Sequence, residues 1–248
     1  MKADKEFLER FSGAYRYNRY AHHDITAIAS LFGDVIVTAA DSTRLKIVSA
    51  GNVEYYIPTD KLAFREVHSS KVIAFKENEK GQITHMFIGD LAIMALDKVT
   101  GIRSSGIQNS IFLVVVLTSI IMLFYWPITG SARKGFEPMG SKLLIPVGSK
   151  FIAWVNYFML TVFYAGLVII LSDPSSIVFG APLSLKIILI LPFLICLTTL
   201  LMFMNLYRLW GNYRYRFWSR VFYLLICLIS ATALWQMYYW NFIGFNYL

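Results

Sequence analysis

Side chains able to do chemistry are sparse in this chain, and the densest group of them is His22-His23-Asp24. Imidazole and carboxylate are metal ligands, but three consecutive residues rarely converge on one ion without partners from elsewhere. The remaining histidines, His68 and His85, belong to different predicted strands. The triplet is therefore expected to open a short helix with Asp24 as its cap, and no metal or cofactor is assigned. Tyr15, Tyr17, Tyr55 and Tyr56 suit two roles. They can line the mouth of a ligand-binding barrel, or serve core and cross-strand packing, the more frequent case. Cys196 and Cys227 lie in apolar runs, and residues 1–106 hold no cysteine, so no disulfide staples that part.

A second cluster joins positive charge to aromatic rings. The stretch "LYRLWGNYRYRFWSR" (206–220) has a composition with which proteins bind nucleic acid by charge and stacking. Its arginines instead bracket two long apolar runs, and Trp210 and Trp218 fall where an interfacial aromatic belt would sit. The expected partner is the lipid bilayer, anionic headgroups included, and not nucleic acid. Of the 248 residues, 57% are hydrophobic and 15% charged, against about a quarter charged in soluble proteins. Residues 1–106 carry 14 Lys and Arg against 13 Asp and Glu, whereas the other 142 carry nine against two. The net charge of +8 is thus a property of the apolar half.

Four apolar runs, 107–128, 151–171, 185–207 and 221–245, each reach the ~20 residues that cross a hydrocarbon core of about 30 Å. Their interiors hold no Asp, Glu, Lys, Arg or His, which argues against a pump or ion channel. Asn156 and Asn205 are their main polar groups and are expected to join helices. Pro192 is expected to kink the third span by removing a backbone donor. Arg133, Lys134, Lys142 and Lys150 lie between the first two spans, and Arg208, Arg214, Arg216 and Arg220 between the last two. The middle loop has Lys186 alone. Because basic loops stay in the cytoplasm, those eight residues set the expected topology: both basic loops inside, the N-terminal domain and the C-terminus outside.

The N-terminal part reads as strands. Phe11–Tyr17, with its rings on alternate positions, is followed by the helix expected from Asp24, with Ile25, Ile28 and Phe32 on one face and Gly33 ending it. Then come "VIVTA" (35–39), "RLKIV" (44–48), "VEYYI" (53–57), "LAFREV" (62–67), "KVIAFK" (71–76), "QITHMFI" (82–88) and "LAIMAL" (91–96). Turn-forming clusters at Asp41-Ser42, Gly51-Asn52 and Asn78–Gly81 separate them. Short strands at even spacing predict an antiparallel meander closed as a small barrel, with Phe64, Phe75 and Phe87 in its core. The fold class expected is an α+β membrane protein: a β-barrel over 1–104 and a four-helix transmembrane bundle over 105–248.

"GAYRYNR" (13–19), "LAFRE" (62–66), "IAFKENEKGQITHMFIG" (73–89) and "DKVTG" (97–101) in this order resemble the C-terminal region of membrane-bound serine hydrolases of the class C β-lactamase and penicillin-binding-protein type. The resemblance covers essentially the whole chain. It implies a lipocalin-like β-domain and transmembrane helices in a bacterial inner or plasma membrane, standing behind an N-terminal catalytic domain. The family's catalytic set is a Ser three residues before a Lys, a Tyr-x-Asn element and a Lys- or His-x-Gly element. Here the formal hits are Ser131–Lys134 and Tyr239–Asn241, which the expected topology places on opposite sides of about 30 Å of membrane. Neither Lys-x-Gly nor His-x-Gly occurs. No catalytic residue is assigned, and the chain alone is not expected to be an enzyme.

Residues 1–11 carry charges and no apolar h-region of an export signal. The expectation is therefore a C-terminal fragment, a split-gene product or a stand-alone descendant, exported by sequence lying upstream. Span one acting as a reverse anchor is the alternative. The expected role is a non-catalytic, accessory one beside a separately encoded serine-hydrolase domain. The alternative is a stand-alone extracytoplasmic ligand-binding sensor coupled to the membrane bundle.

Overall fold

Two of the three predicted reversals rest on a side chain that replaces a backbone partner, and the third on a glycine. Asp41 Oδ1 accepts the Thr43 and Arg44 amides at 2.7 and 2.8 Å, and Asn78 Oδ1 accepts those of Lys80 and Gln82 at 3.0 and 2.9 Å. Gly51, at φ +83°, turns the chain between the paired residues Ser49 and Asn52. The computed structural model describes residues 4–18, 34–49, 51–89, 95–132, 145–172, 182–212 and 214–244. It divides into two units, Met1–Asn109 and Ser110–Leu248.

The first unit is a closed antiparallel barrel of eight strands joined in sequence order. They are β1 (Gly13–Tyr17), β2 (Val35–Ala39), β3 (Leu45–Ser49), β4 (Asn52–Pro58), β5 (Ala63–Glu66), β6 (Val72–Glu77), β7 (Ile83–Ile88) and β8 (Ala95–Val99). β8 closes on β1 with Ala14 opposite Val99 and Tyr17 opposite Leu96. The helix expected around Asp24, and His22-His23-Asp24 with it, lies outside the described residues, as does most of the run 91–96.

One end of the barrel is filled. Asp4 accepts the Phe7 amide at 2.7 Å and starts a short helix, α1 (Lys5–Glu9). This helix delivers Leu8 and Phe11, both fully buried, into the barrel. The Phe11 ring lies 4.9 Å from that of Phe64 and 4.8 Å from that of Phe75, centroid to centroid. The Tyr15 hydroxyl donates to Phe11 O at 2.7 Å. Phe64 and Phe75 are thus core, as expected. Phe87 is not: it is 37% exposed and stacks on His85 outside. Its phase is reversed by an irregularity between Lys76 and Glu77, where the register jumps from Lys76↔His85 to Glu77↔Ile83. Ile83 and Met86 consequently both face inward, and alternation beyond Met86 turns Phe87 out.

The second unit is helical. Its segments, starting within the first unit, are α2 (Ser105–Ala132), α3 (Val147–Leu171), α4 (Leu183–Ile188), α5 (Leu191–Trp210) and α6 (Phe217–Tyr239). Four spans, Ser105–Ile128, Val147–Ile170, Leu183–Trp210 and Phe217–Tyr239, are long and apolar enough to cross a membrane. The kink expected at Pro192 is a break between α4 and α5, because proline has no amide hydrogen to return to Ile188. Gly166 on α3 gives room to this corner, since a Cβ there would collide with Ile188 Cδ1. The last span stops before the 245 expected. Asn241 adopts φ +58°, the Phe242 amide returns to Met237 O at 2.9 Å and the Asn241 amide to Tyr238 O at 3.1 Å, a Schellman stop.

Asn156 joins three helices, as expected. Its amide donates to Thr198 Oγ1 and Thr199 Oγ1 at 2.8 and 2.9 Å, and its carbonyl accepts from Ser230 Oγ at 2.9 Å. Thr199 and Ser230 are themselves 2.7 Å apart. Tyr157 OH adds a bond to Ile226 O at 2.7 Å, and Tyr164 OH one to Gln236 Oε1 at 3.2 Å. Asn205 does not join helices. Its amide turns back onto Leu201 O, four residues earlier on the same helix, at 3.0 Å.

Candidate functional site

Among the described residues, which exclude the connections 19–33 and 90–94, the end of the barrel opposite α1 is open. Inward positions on β4 run Asn52, Glu54, Tyr56 from the rim to the core, and on β3 they run Ser49, Ile47, Leu45. The same alternation that buries the lower residues therefore carries polar groups to the mouth. A cavity of about 260 Å³ opens there. Val35, Ile47, Ile73 and Met86 form its walls, Tyr56 stands at its base, and Ser49, Asn52, Glu54 and Lys71 form the rim. An apolar hollow with a few polar groups placed at one end is the usual form of a small-molecule site, here at its small limit.

The rim is internally paired. Lys71 Nζ donates to Glu54 Oε1 at 2.7 Å, and Tyr56 OH donates to Glu54 Oε2 at 2.8 Å. These bonds, that of Lys71 first, hold the Glu54 carboxyl below its usual range against the opposite pull of burial. Glu54 is therefore a weak base, suited to binding rather than proton transfer. Burial raises the Tyr15 phenol, which stays a protonated donor. Tyr15 is core, Tyr56 forms the base of the cavity, Tyr17 is half-buried against the core, and Tyr55 lies on the outer surface with Arg44 over its ring.

At the closed end a more open hollow is lined by Arg10, Gly81–Thr84, Lys98 and Thr100. Its cations are engaged: Arg10 pairs with Glu77 and donates to Gly81 O at 3.1 Å, and Lys98 Nζ donates to Arg10 O at 3.0 Å. Burial lowers the Lys98 ammonium pKa. On the outer surface, His85 lies 3.4 Å from Asp97. No group of three His, Cys, Asp or Glu placed to hold a metal ion occurs among the described residues.

A further polar pair was not anticipated from the sequence. Arg16, adjacent to inward Tyr15, points outward, where Nε and Nη2 grip Asp34 Oδ1 and Oδ2 at 2.6 and 3.0 Å. The two side chains are only 5% and 3% exposed. Arg16 Nη2 also donates to Arg103 O at 3.2 Å, and Asp34 Oδ2 accepts the Ser105 amide at 3.3 Å. The pair pins the first residue of α2 beside the start of β2, at the open end. The register that puts Tyr15 opposite Val35 is the signal that brings Arg16 next to Asp34.

Of the residues expected to set topology, Arg133, Lys134 and Lys142 lie outside the described residues. Lys150 sits in the first turn of α3 rather than in the preceding loop, because α3 begins at Val147. Arg208 is in the last turn of α5, Arg214 is exposed in the connection, Arg216 stands at the N-cap position of α6 without a side-chain cap bond, and Arg220 is in its first turn. Ser131 belongs to the end of α2, and the formal Tyr239-x-Asn241 element is the Schellman stop of α6. No family model, curated protein or solved structure matches the chain.

Proposed function

We propose that the chain is a non-catalytic, membrane-anchored binding module whose barrel takes up the apolar end of a small molecule. The observation that carries this reading is the cavity at the open end, apolar in its walls and polar only at its rim. At about 30 Å³ per water-sized heavy atom, its volume suits roughly nine such atoms, the length of a medium acyl chain. The paired charges of Glu54 and Lys71 leave the rim near neutral, favouring an uncharged or weakly charged polar end.

The eight basic residues support placing the barrel outside the cytoplasm. Within this reading, a separately encoded serine-hydrolase domain is the protein partner that the sequence resemblance implies, and the motif series that carries the resemblance is its support. The test is native mass spectrometry of the full-length protein released from nanodiscs after incubation with octanol or octanoate. A 1:1 adduct that disappears in Ile47→Trp and persists in Ile47→Leu is expected. No adduct, or one indifferent to Ile47→Trp, refutes the reading.

A further inference from the structure

We propose that the hollow at the closed end of the barrel is an anion site that takes a phosphate group, with Lys98 and Arg10 as its cations. It shares no lining residue with the apolar cavity and is independent of it.

A gap in the sheet makes the hollow. The ladder between β7 and β8 runs from Phe87↔Ala95 to His85↔Asp97 and goes no further, although β7 starts at Ile83 and β8 ends at Val99. Arg10, at the end of α1, bridges the two edges in place of the ladder. Its Nη2 reaches Gly81 O, ahead of β7, at 3.1 Å, and its carbonyl accepts Lys98 Nζ of β8 at 3.0 Å. Lys98 lies opposite Tyr15 and therefore points to the same, inner side. Its stem fills the place left by Gly13, where a Cβ would lie 2.7 Å from Lys98 Cε. The ammonium is thus placed in the hollow by the backbone and not by a counter-ion.

Charge is the second observation. Among the described residues, the lining contains two cations and no carboxylate, and Ile83 is its one large apolar side chain. Lys98 forms no ion pair with a described residue. It gives one of its three ammonium hydrogens to Arg10 O and lies 5.8 Å from the centre of the Tyr15 ring. Glu77 offsets Arg10, but that bond and the one to Gly81 O are both made by Nη2, so neither uses Nε or Nη1. Gln82 and Thr100 add an amide and a hydroxyl from beside β7 and β8. Donors on three elements around one space suit a tetrahedral oxyanion better than a planar carboxylate gripped by a single fork. Burial lowers the Lys98 ammonium pKa, and a bound anion would reverse that shift.

The test uses the full-length protein in maltoside micelles, which carry no phosphate, and reads the phosphorus NMR linewidth of added inorganic phosphate at constant ionic strength. Saturable broadening is expected in the wild type. Affinity should fall about tenfold in Lys98→Met, which keeps the stem over Gly13, and less in Arg10→Gln and Thr100→Val. Lys61→Gln removes an exposed cation at the same end but outside the hollow, and should bind as the wild type does. Circular dichroism melts check the fold of each variant, and exposed Thr100 keeps the comparison if Lys98→Met does not fold. Glycerol phosphate separates the sources: equal affinity assigns the site to a phosphate ester, and its loss assigns it to free phosphate. No broadening in the wild type overturns the inference. So does broadening unchanged in Lys98→Met and Thr100→Val, or weakened as much in Lys61→Gln, which would reduce the effect to surface charge.

Discussion

The barrel and the helical unit bury opposite things. In the barrel, water outside drives Phe11, Phe64 and Phe75 into mutual contact, and polar groups are left at the rim. In the helices, Leu113, Ile121, Ile169 and Leu200 face outward, while Asn156, Thr199, Ser230 and Gln236 are buried between helices. A hydrocarbon solvent removes the reason to hide apolar side chains, so close contacts and hydrogen bonds decide how the helices fit. Hydrophobicity therefore builds the first unit, and its interruptions build the second.

Changes at Phe75 and at Arg16 test the barrel side of this contrast most severely. Phe75→Ala should cost about 3–5 kcal/mol, whereas Phe87→Ala, on the outer surface, should stay within about 0.5 kcal/mol. Chemical denaturation followed by the β-type circular dichroism of the barrel would separate them, and equal costs would return Phe87 to the core. Arg16→Ala should also cost about 3–5 kcal/mol, because Asp34 is left buried without its cation. The pair Arg16→Met with Asp34→Leu should be milder than either single change.

The helical unit should respond less to any one change. Asn156→Val removes the shared partner of Thr198, Thr199 and Ser230, yet about 1–2 kcal/mol is expected, since polar groups in a membrane find other partners when helices separate. Unfolding in mixed micelles measures it. A loss as large as that of Phe75→Ala would erase the distinction between the two units.

Smaller still is the rim. Glu54 has a folded-state pKa below its ordinary value of 4.5, so the stability it contributes is present above that pH and is lost as pH falls through the lowered value. The half-exposed pair with Lys71 is worth under about 1 kcal/mol. The wild-type barrel should therefore lose slightly more melting temperature than Glu54→Gln between about pH 5 and pH 3. The smallest effect expected is none: Ser131→Ala should leave the protein as unreactive toward a fluorescent penicillin as before. Labelling that vanishes in this variant would give the chain a nucleophile.

The strands were legible because their boundaries are chemical. Asp41, Gly51 and Asn78 each impose a turn by a local hydrogen bond or a left-handed residue. The four spans were legible from length and apolarity. What escaped was the phase within elements. The irregularity at Lys76/Glu77 has no residue signature, so alternation alone puts Phe87 on the wrong face. The inward direction of Asn52 and Glu54 follows only from Tyr56 being core, which the sequence does not show. Asn205 and Asn156 look alike in sequence, and only the neighbouring helices distinguish them. The clamp needed two strands paired in register before Arg16 and Asp34 could meet.

The aromatic filling supplied by α1 makes the barrel, among the described residues, a cup closed at one end. Within the proposed function, a molecule held in the cavity would be unable to pass through this filling, and the barrel would be a store and not a conduit. An incoming molecule cannot push out the resident one from behind. Exchange must wait for the resident to depart, and the rate at which a displaced probe leaves should be independent of how much competitor is added.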